Sequence, residues 1–337
     1  MRNKCLLILP YFGKFKNYFP LFLRSCESNP SVDWVIITDN EIDGCHRPCN
    51  VRFVSMTFSE CVECFNSKFS FDVALDRPYK LCDFKPAYGY VFSDLIENYD
   101  YWGHCDCDLI FGNFEATIDS LMDRGYDKIF SGGHLCLYKN TADNLKRFMK
   151  PHEVYGPLFE KAFSSSSGFA FDEMCYRENV HTLFRQDNAS IYENDLSFNV
   201  STANNVFRRC AFDPTTDRWT DSTKTELLYL SDKDLFGLSV QNGALVRTDY
   251  IYLHLQGRQM KLDSQADEPC IHIRANKFVA CSNPPSTLAN FILSVLVDAA
   301  TAPMGGYLHQ LKRLLRRSSF VDALEINPYL SLKQVRK

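Results

Sequence analysis

Two aspartates separated by a single residue, Asp106-Cys107-Asp108, say most about chemistry in this sequence. In extended backbone, alternate side chains face the same way, so both carboxylates can converge on one hard cation. Mg²⁺ and Mn²⁺ prefer oxygen ligands, and Mg²⁺ commonly combines one or two carboxylates with substrate phosphates. A nucleoside diphosphate needs such neutralisation as its bond to a sugar breaks. An Asp-x-Asp triplet also arises by chance, as a solvated or capping pair. Here its surroundings favour a site: Tyr101-Trp102-Gly103-His104-Cys105 reads as a strand entering the pair, and Leu109-Ile110-Phe111-Gly112 leaves it.

Other residues fit the same chemistry. His254, within Tyr252-Leu253-His254-Leu255-Gln256, offers an imidazole that can complete the coordination of Mn²⁺. Its alternative reading is a buried histidine satisfied by backbone. Arg258 and Lys261 follow closely enough to hold a diphosphate. Asp83-Phe84-Lys85-Pro86 precedes an expected helix over 86–98, where an N-terminus and a lysine favour anions. Lys85 would then touch phosphate or a sugar hydroxyl, with Asp83 orienting it, or Asp83 is simply an N-cap. Asp172 or Glu173, after the polar loop 164–168, could deprotonate an acceptor hydroxyl or bind sugar hydroxyls. Gly132-Gly133 would let a sugar approach the backbone, or form a tight turn.

These residues need a frame. Lys4–Pro10, Trp34–Asn40 and Val51–Val54 read as buried strands, with a helix over Phe19–Cys26 between the first two. Residues 45–68 read as irregular. The alternation implies a doubly wound, mostly parallel α/β sheet whose ligands sit beyond the carboxyl ends of the strands. Pro10, Tyr11, Thr38 and Asp39 occupy such ends and are expected near a nucleotide. Later strands are expected at 128–131, broken by Gly132-Gly133 and continued at 135–138, and at 226–230 and 249–255. Residues 1–284 form the expected catalytic domain, and 285–337 a helical, basic extension.

The chain has 337 residues, 45% hydrophobic and 23% charged, enough for an ordinary core and unlike a disordered segment. A net charge of −4 lacks the basic footprint of a nucleic-acid-binding protein. Fourteen cysteines raise the question of disulfides. The N-terminal run Cys5–Pro10 is too short for a signal peptide, so reduced thiols and a cytoplasmic location are expected. No stretch reaches the ~18–20 apolar residues of a spanning helix. Cys45-His46, Cys49 and Cys61-x-x-Cys64 were weighed as a zinc site, but their spacing is loose. Leucines alternate with basic residues from Tyr307 to Arg317, which suits either a packed amphipathic helix or peripheral contact with an anionic membrane.

Taken in order, Leu9-Pro10-Tyr11-Phe12-Gly13, Phe84-Lys85-Pro86, Trp102 to Asp108 and Tyr252 to Gln256 resemble a group of bacterial glycosyltransferases tied to surface polysaccharides. The resemblance spans roughly residues 4–262. It implies a GT-A-like, Rossmann-type fold using Mn²⁺ or Mg²⁺, a nucleotide-sugar donor such as a UDP-sugar, and a glycan or lipid-linked glycan acceptor. In related lipopolysaccharide galactosyltransferases a His-x-x-Gly-x-x-Lys segment supplies a metal ligand and a phosphate-binding lysine. His254 and Gly257 are similar, while Lys261 comes one residue late and Arg258 could substitute. Two other readings compete. A nucleotidyltransferase would need a glycine-rich basic loop after the first strand, and residues 10–17 hold one Gly and two Lys. A non-catalytic carbohydrate-binding protein would bind no nucleotide sugar.

Overall fold

The computed structural model describes residues 3–42, 44, 46–174, 177–202, 207–262 and 268–301. Cys45 of the weighed zinc cluster and the basic segment after 301 lie outside the described residues.

The strands are β1 (Cys5–Pro10), β2 (Val32–Thr38), β3 (Val51–Ser55), β4 (Tyr101–Cys105), β5 (Leu109–Phe111), β6 (Lys128–Ile129), β7 (Leu135–Lys139), β8 (Ile191–Tyr192) and β9 (Phe198–Asn199). They continue as β10 (Cys210–Asp213), β11 (Arg218–Asp221), β12 (Leu227–Ser231), β13 (Asp234–Gln241), β14 (Ala244–Tyr250), β15 (Tyr252–His254), β16 (Lys261–Leu262), β17 (Cys270–Ile273) and β18 (Lys277–Ala280). The central sheet runs β3-β2-β1-β4-β7-β6-β8. Strands β3, β2, β1 and β4 are parallel, β7 is antiparallel to both β4 and β6, and β8 is parallel to β6.

Period-two alternation explains why both faces of this sheet are dry. In β1, Cys5, Leu7 and Leu9 enter one apolar cluster while Leu6 and Ile8 enter another. Trp34 and Ile36 of β2 join the first, and Val35 and Ile37 the second. Helix α1 (Phe19–Glu27) packs Phe19, Phe22 and Leu23 into the first cluster, and α2 (Phe58–Asn66) packs Cys61 and Phe65 into the second. A six-stranded sheet, β14-β13-β12-β17-β18-β16, carries a third cluster closed by Phe291 of the helix Leu288–Thr301.

Three local expectations need correction. Beyond the expected strand β3, the stretch 45–68 is not irregular but holds α2, whose capping box is legible: Thr57 accepts from the Glu60 amide while the Glu60 carboxylate accepts from the Thr57 amide. The expected helix over 86–98 is broken into short turns, Tyr88–Val91 and Ser93–Leu95 among them. Gly89 there lies so close to Trp102 that a Cβ would sit 2.3 Å from its ring, so this contact requires glycine. The segments 128–131 and 135–138 form an antiparallel hairpin, β6–β7, rather than one strand.

Among the described residues, no helix is long and apolar enough to cross a membrane.

Candidate metal centre

The aspartate pair does not lie in extended backbone. Strand β4 ends at Cys105, and Asp106-Cys107-Asp108 makes the turn into β5. The turn is held on both sides: the Asp106 amide donates to the His134 carbonyl (3.0 Å), and the Leu255 amide donates to the Asp108 carbonyl (3.1 Å). The carboxylates therefore converge because a turn gathers them, not because a strand alternates.

A small three-stranded sheet supplies the remaining group. β15 pairs antiparallel with β5, setting His254 opposite Leu109, and parallel with β9, setting His254 beside Asn199. His254 Nε2 consequently lies 3.5 Å from Asp108 Oδ1 and 3.9 Å from Asp106 Oδ2. His254 Nδ1 lies 2.9 Å from Asn199 Oδ1, which also accepts from the Gln256 amide at 2.8 Å. Because the Asn199 oxygen can only accept, Nδ1 carries a proton and Nε2 faces the aspartates. The Gly257 amide donates to Asp108 Oδ2.

Among the described residues, Asp106, Asp108 and His254 are the one group of three or more such side chains near enough to share a cation, their ligand atoms lying within 4.8 Å of one another. That spacing is close to what ligands at ~2.1 Å from one ion require. Two carboxylates and an imidazole suit Mn²⁺ or Mg²⁺. The negative potential of the two aspartates is felt by the ring. Burial lowers the His254 pKa, yet Asp108 and Asp106 outweigh it and hold the ring above its ordinary value. Burial raises Asp108, but His254 and the Gly257 amide more than offset it and keep the carboxylate ionised.

A cleft of about 950 Å³ opens over these groups, lined also by Pro10, Tyr11, Lys16, Lys85, Asp172, Glu173 and Gly257. Lys85 is buried and bridges the two acidic ends of the site: Nζ lies 2.7 Å from Asp106 Oδ1 and 3.1 Å from Asp172 Oδ2, and donates to the Gly133 carbonyl at 2.8 Å. Burial and then Glu173 and Asp106 push the Asp172 carboxyl up to about 7 against the pull of Lys85. Asp172 Oδ1 is buried with no hydrogen-bond partner among the described residues. Gly133 is required here, since a Cβ would sit 2.6 Å from Asp172 Oδ2 and 2.9 Å from Glu173 Oε1. Gly133 thus admits carboxylates to the backbone, while Gly132 makes room for the His134 ring.

Some expectations part from the geometry. Asp83 does not orient Lys85; it pairs with buried Lys80 at 2.7 Å and accepts from the Phe169 and Phe171 amides. Asp39 is exposed beyond β2, Arg258 donates to the Ser201 carbonyl at 2.9 Å, and Lys261 is exposed on β16. None of these three lines the cleft. Asn199 and Lys16 were missed. Asn199 carried no signal, since it sits in a polar stretch with weak periodicity.

The fold and site define a mixed α/β protein with a carboxylate–imidazole cluster, spaced so that it could hold a cation, at the carboxyl end of its parallel strands. The chain belongs to the family described as Family of unknown function (DUF6625), whose model matches residues 7–282. No curated protein matches the sequence. Among solved structures, the galactosyltransferase LgtC in complex with donor and acceptor sugar analogs is similar at a TM-score of 0.30 and 11% identity, covering 59% of this chain and 76% of that one. An active-site mutant of LgtC scores 0.28 at 11% identity, with the same coverage. Likenesses this slight define neither fold nor role.

Proposed function

We propose that this protein is a metal-dependent glycosyltransferase of GT-A-like fold, moving a sugar from a nucleoside-diphosphate sugar to an acceptor hydroxyl in surface-polysaccharide synthesis. The observation that carries the reading is the convergence of Asp106, Asp108 and His254 at the floor of a cleft large enough for a nucleotide sugar. Those three residues would hold Mn²⁺ or Mg²⁺. When bound, the ion supplies positive charge that stabilises the departing nucleoside diphosphate.

The chain's own groups divide the remaining work. Asn199 holds the imidazole with Nε2 directed inward. Lys85 keeps Asp106 and Asp172 close without mutual repulsion. Asp172 or Glu173 receives the acceptor proton, and a carboxyl titrating at about 7 is suited to that exchange near neutrality. Residues 1–284 form the catalytic domain in this reading, consistent with a family match that ends at 282, and 285–337 form the extension.

The test is a panel of nucleotide sugars, each incubated with Mn²⁺ or Mg²⁺ and scored for nucleoside diphosphate release. Asp108→Asn should abolish release with the active donor. Full activity of that variant, or activity in excess chelator, removes the proposal. Pyrophosphate as the product would mean nucleotidyl transfer instead.

A further inference from the structure

The residues expected to hold the donor's phosphates, Arg258 and Lys261, do not line the cleft. The cations that do are Lys16, Arg77, Lys80 and Lys85. Three are committed to carboxylates. Lys80 pairs with Asp83 at 2.7 Å, Lys85 with Asp106 at 2.7 Å, and Arg77 with Asp76 at 2.9 Å. The side chain of Lys16, half-buried, has no hydrogen-bond or ion-pair partner among the described residues. A lysine left unpaired in a cleft whose other lysines and arginine are matched is available to an incoming anion.

Its position is built rather than accidental. Tyr11, Phe15 and Phe19 stack in series, with centroids 4.9 and 3.8 Å apart. Tyr11 Oη donates to the Lys14 carbonyl (3.1 Å), and the Phe19 amide donates to the Lys16 carbonyl (3.0 Å). Asn40 donates to the Gly13 carbonyl (2.8 Å), and Asn17 donates to the Met260 carbonyl (2.7 Å). The loop after β1 is thus bolted to β2 and to the segment that carries Gly257, and Lys16 and Gly257 share the cleft.

The geometry points to Lys16 as the cation that binds the diphosphate of the nucleotide donor, from the first loop of the chain rather than from the segment after His254. This rests on the glycosyltransferase reading and deepens it. Calorimetric titration of UDP, GDP, ADP, CDP and dTDP in the presence of MnCl₂ tests it, using the wild type, Lys16→Ala, Lys16→Arg and Lys14→Ala as a charge control outside the cleft. Thermal unfolding of each variant checks that it folds.

The expected result is that Lys16→Ala weakens the preferred diphosphate on the order of tenfold and flattens its salt dependence. Lys16→Arg should retain most affinity, and Lys14→Ala should bind as wild type. Equal affinity of wild type and Lys16→Ala overturns the Lys16 assignment alone. Failure of the wild type to bind any of the five diphosphates overturns both this inference and the donor reading beneath it.

Discussion

Replacing Asp172 by Asn isolates the electrostatics of the site. The carboxyl of Asp172 is buried beside Lys85, Glu173 and Asp106, and its pKa stands at about 7 against an ordinary 3.8. A carboxyl raised by folding stabilises the protein fully below its unfolded pKa, and that contribution is lost as pH climbs through the folded value. The interval from 3.8 to about 7, at about 1.4 kcal/mol per pH unit, bounds the loss on the order of 4 kcal/mol. Asparagine cannot ionise and escapes it. Lys85 keeps Asp106 and the Gly133 carbonyl in the variant, and the new amide adds a pH-independent cost of about 1–3 kcal/mol if left unpaired. Unfolding of both proteins in chelator, followed from about pH 5 to 9, should therefore show the variant gaining on the wild type up to about pH 8 and then holding level. At ~2 °C per kcal/mol the gain is on the order of 6 °C in midpoint. A difference that stays flat across this range would refute the placement of an ionisable, poorly compensated Asp172 in the core.

Three further outcomes follow from particular contacts. Asn199→Ala removes the acceptor that orients His254, and Mn²⁺ affinity measured by calorimetry should fall about 10–100-fold while the fold persists. Gly133→Ala forces a methyl against the carboxylates of Asp172 and Glu173, and should cost about 1–3 kcal/mol in denaturant unfolding together with loss of activity. Thr57→Ala breaks the capping box of α2, far from the cleft, and should cost about 1 kcal/mol with nucleotide binding unchanged.

The parallel half of the sheet was legible because β1 and the 34–37 run of β2 are apolar at every step, a pattern that strands covered on both faces sustain. The aspartate pair was legible as a cation site but for an incomplete reason, since local sequence did not distinguish a strand from the turn that actually gathers the carboxylates. His254 could be nominated by type, yet its partner Asn199 could not, because their adjacency is created by β9–β15 pairing. Lys85 was found as a cation and misread in its partners. Reading along the chain placed Asp83 beside it, whereas folding turns Asp83 toward Lys80 and brings Asp172 instead. Arg258 and Lys261 were nominated by distance along the chain, which does not say which side of a segment faces the cleft.

The three-stranded sheet that joins Asp108 to the segment of His254 and Gly257 has a temporal consequence. The Gly257 amide reaches an aspartate 149 positions earlier. A nascent chain that has emerged only as far as the central sheet carries both acids but lacks the imidazole, so it should hold a divalent ion poorly. Contacts of such long reach close late in folding. Acquisition of tight Mn²⁺ binding would then report completion of the tertiary structure, and a ribosome-released fragment ending before β9 should stay blind to the ion.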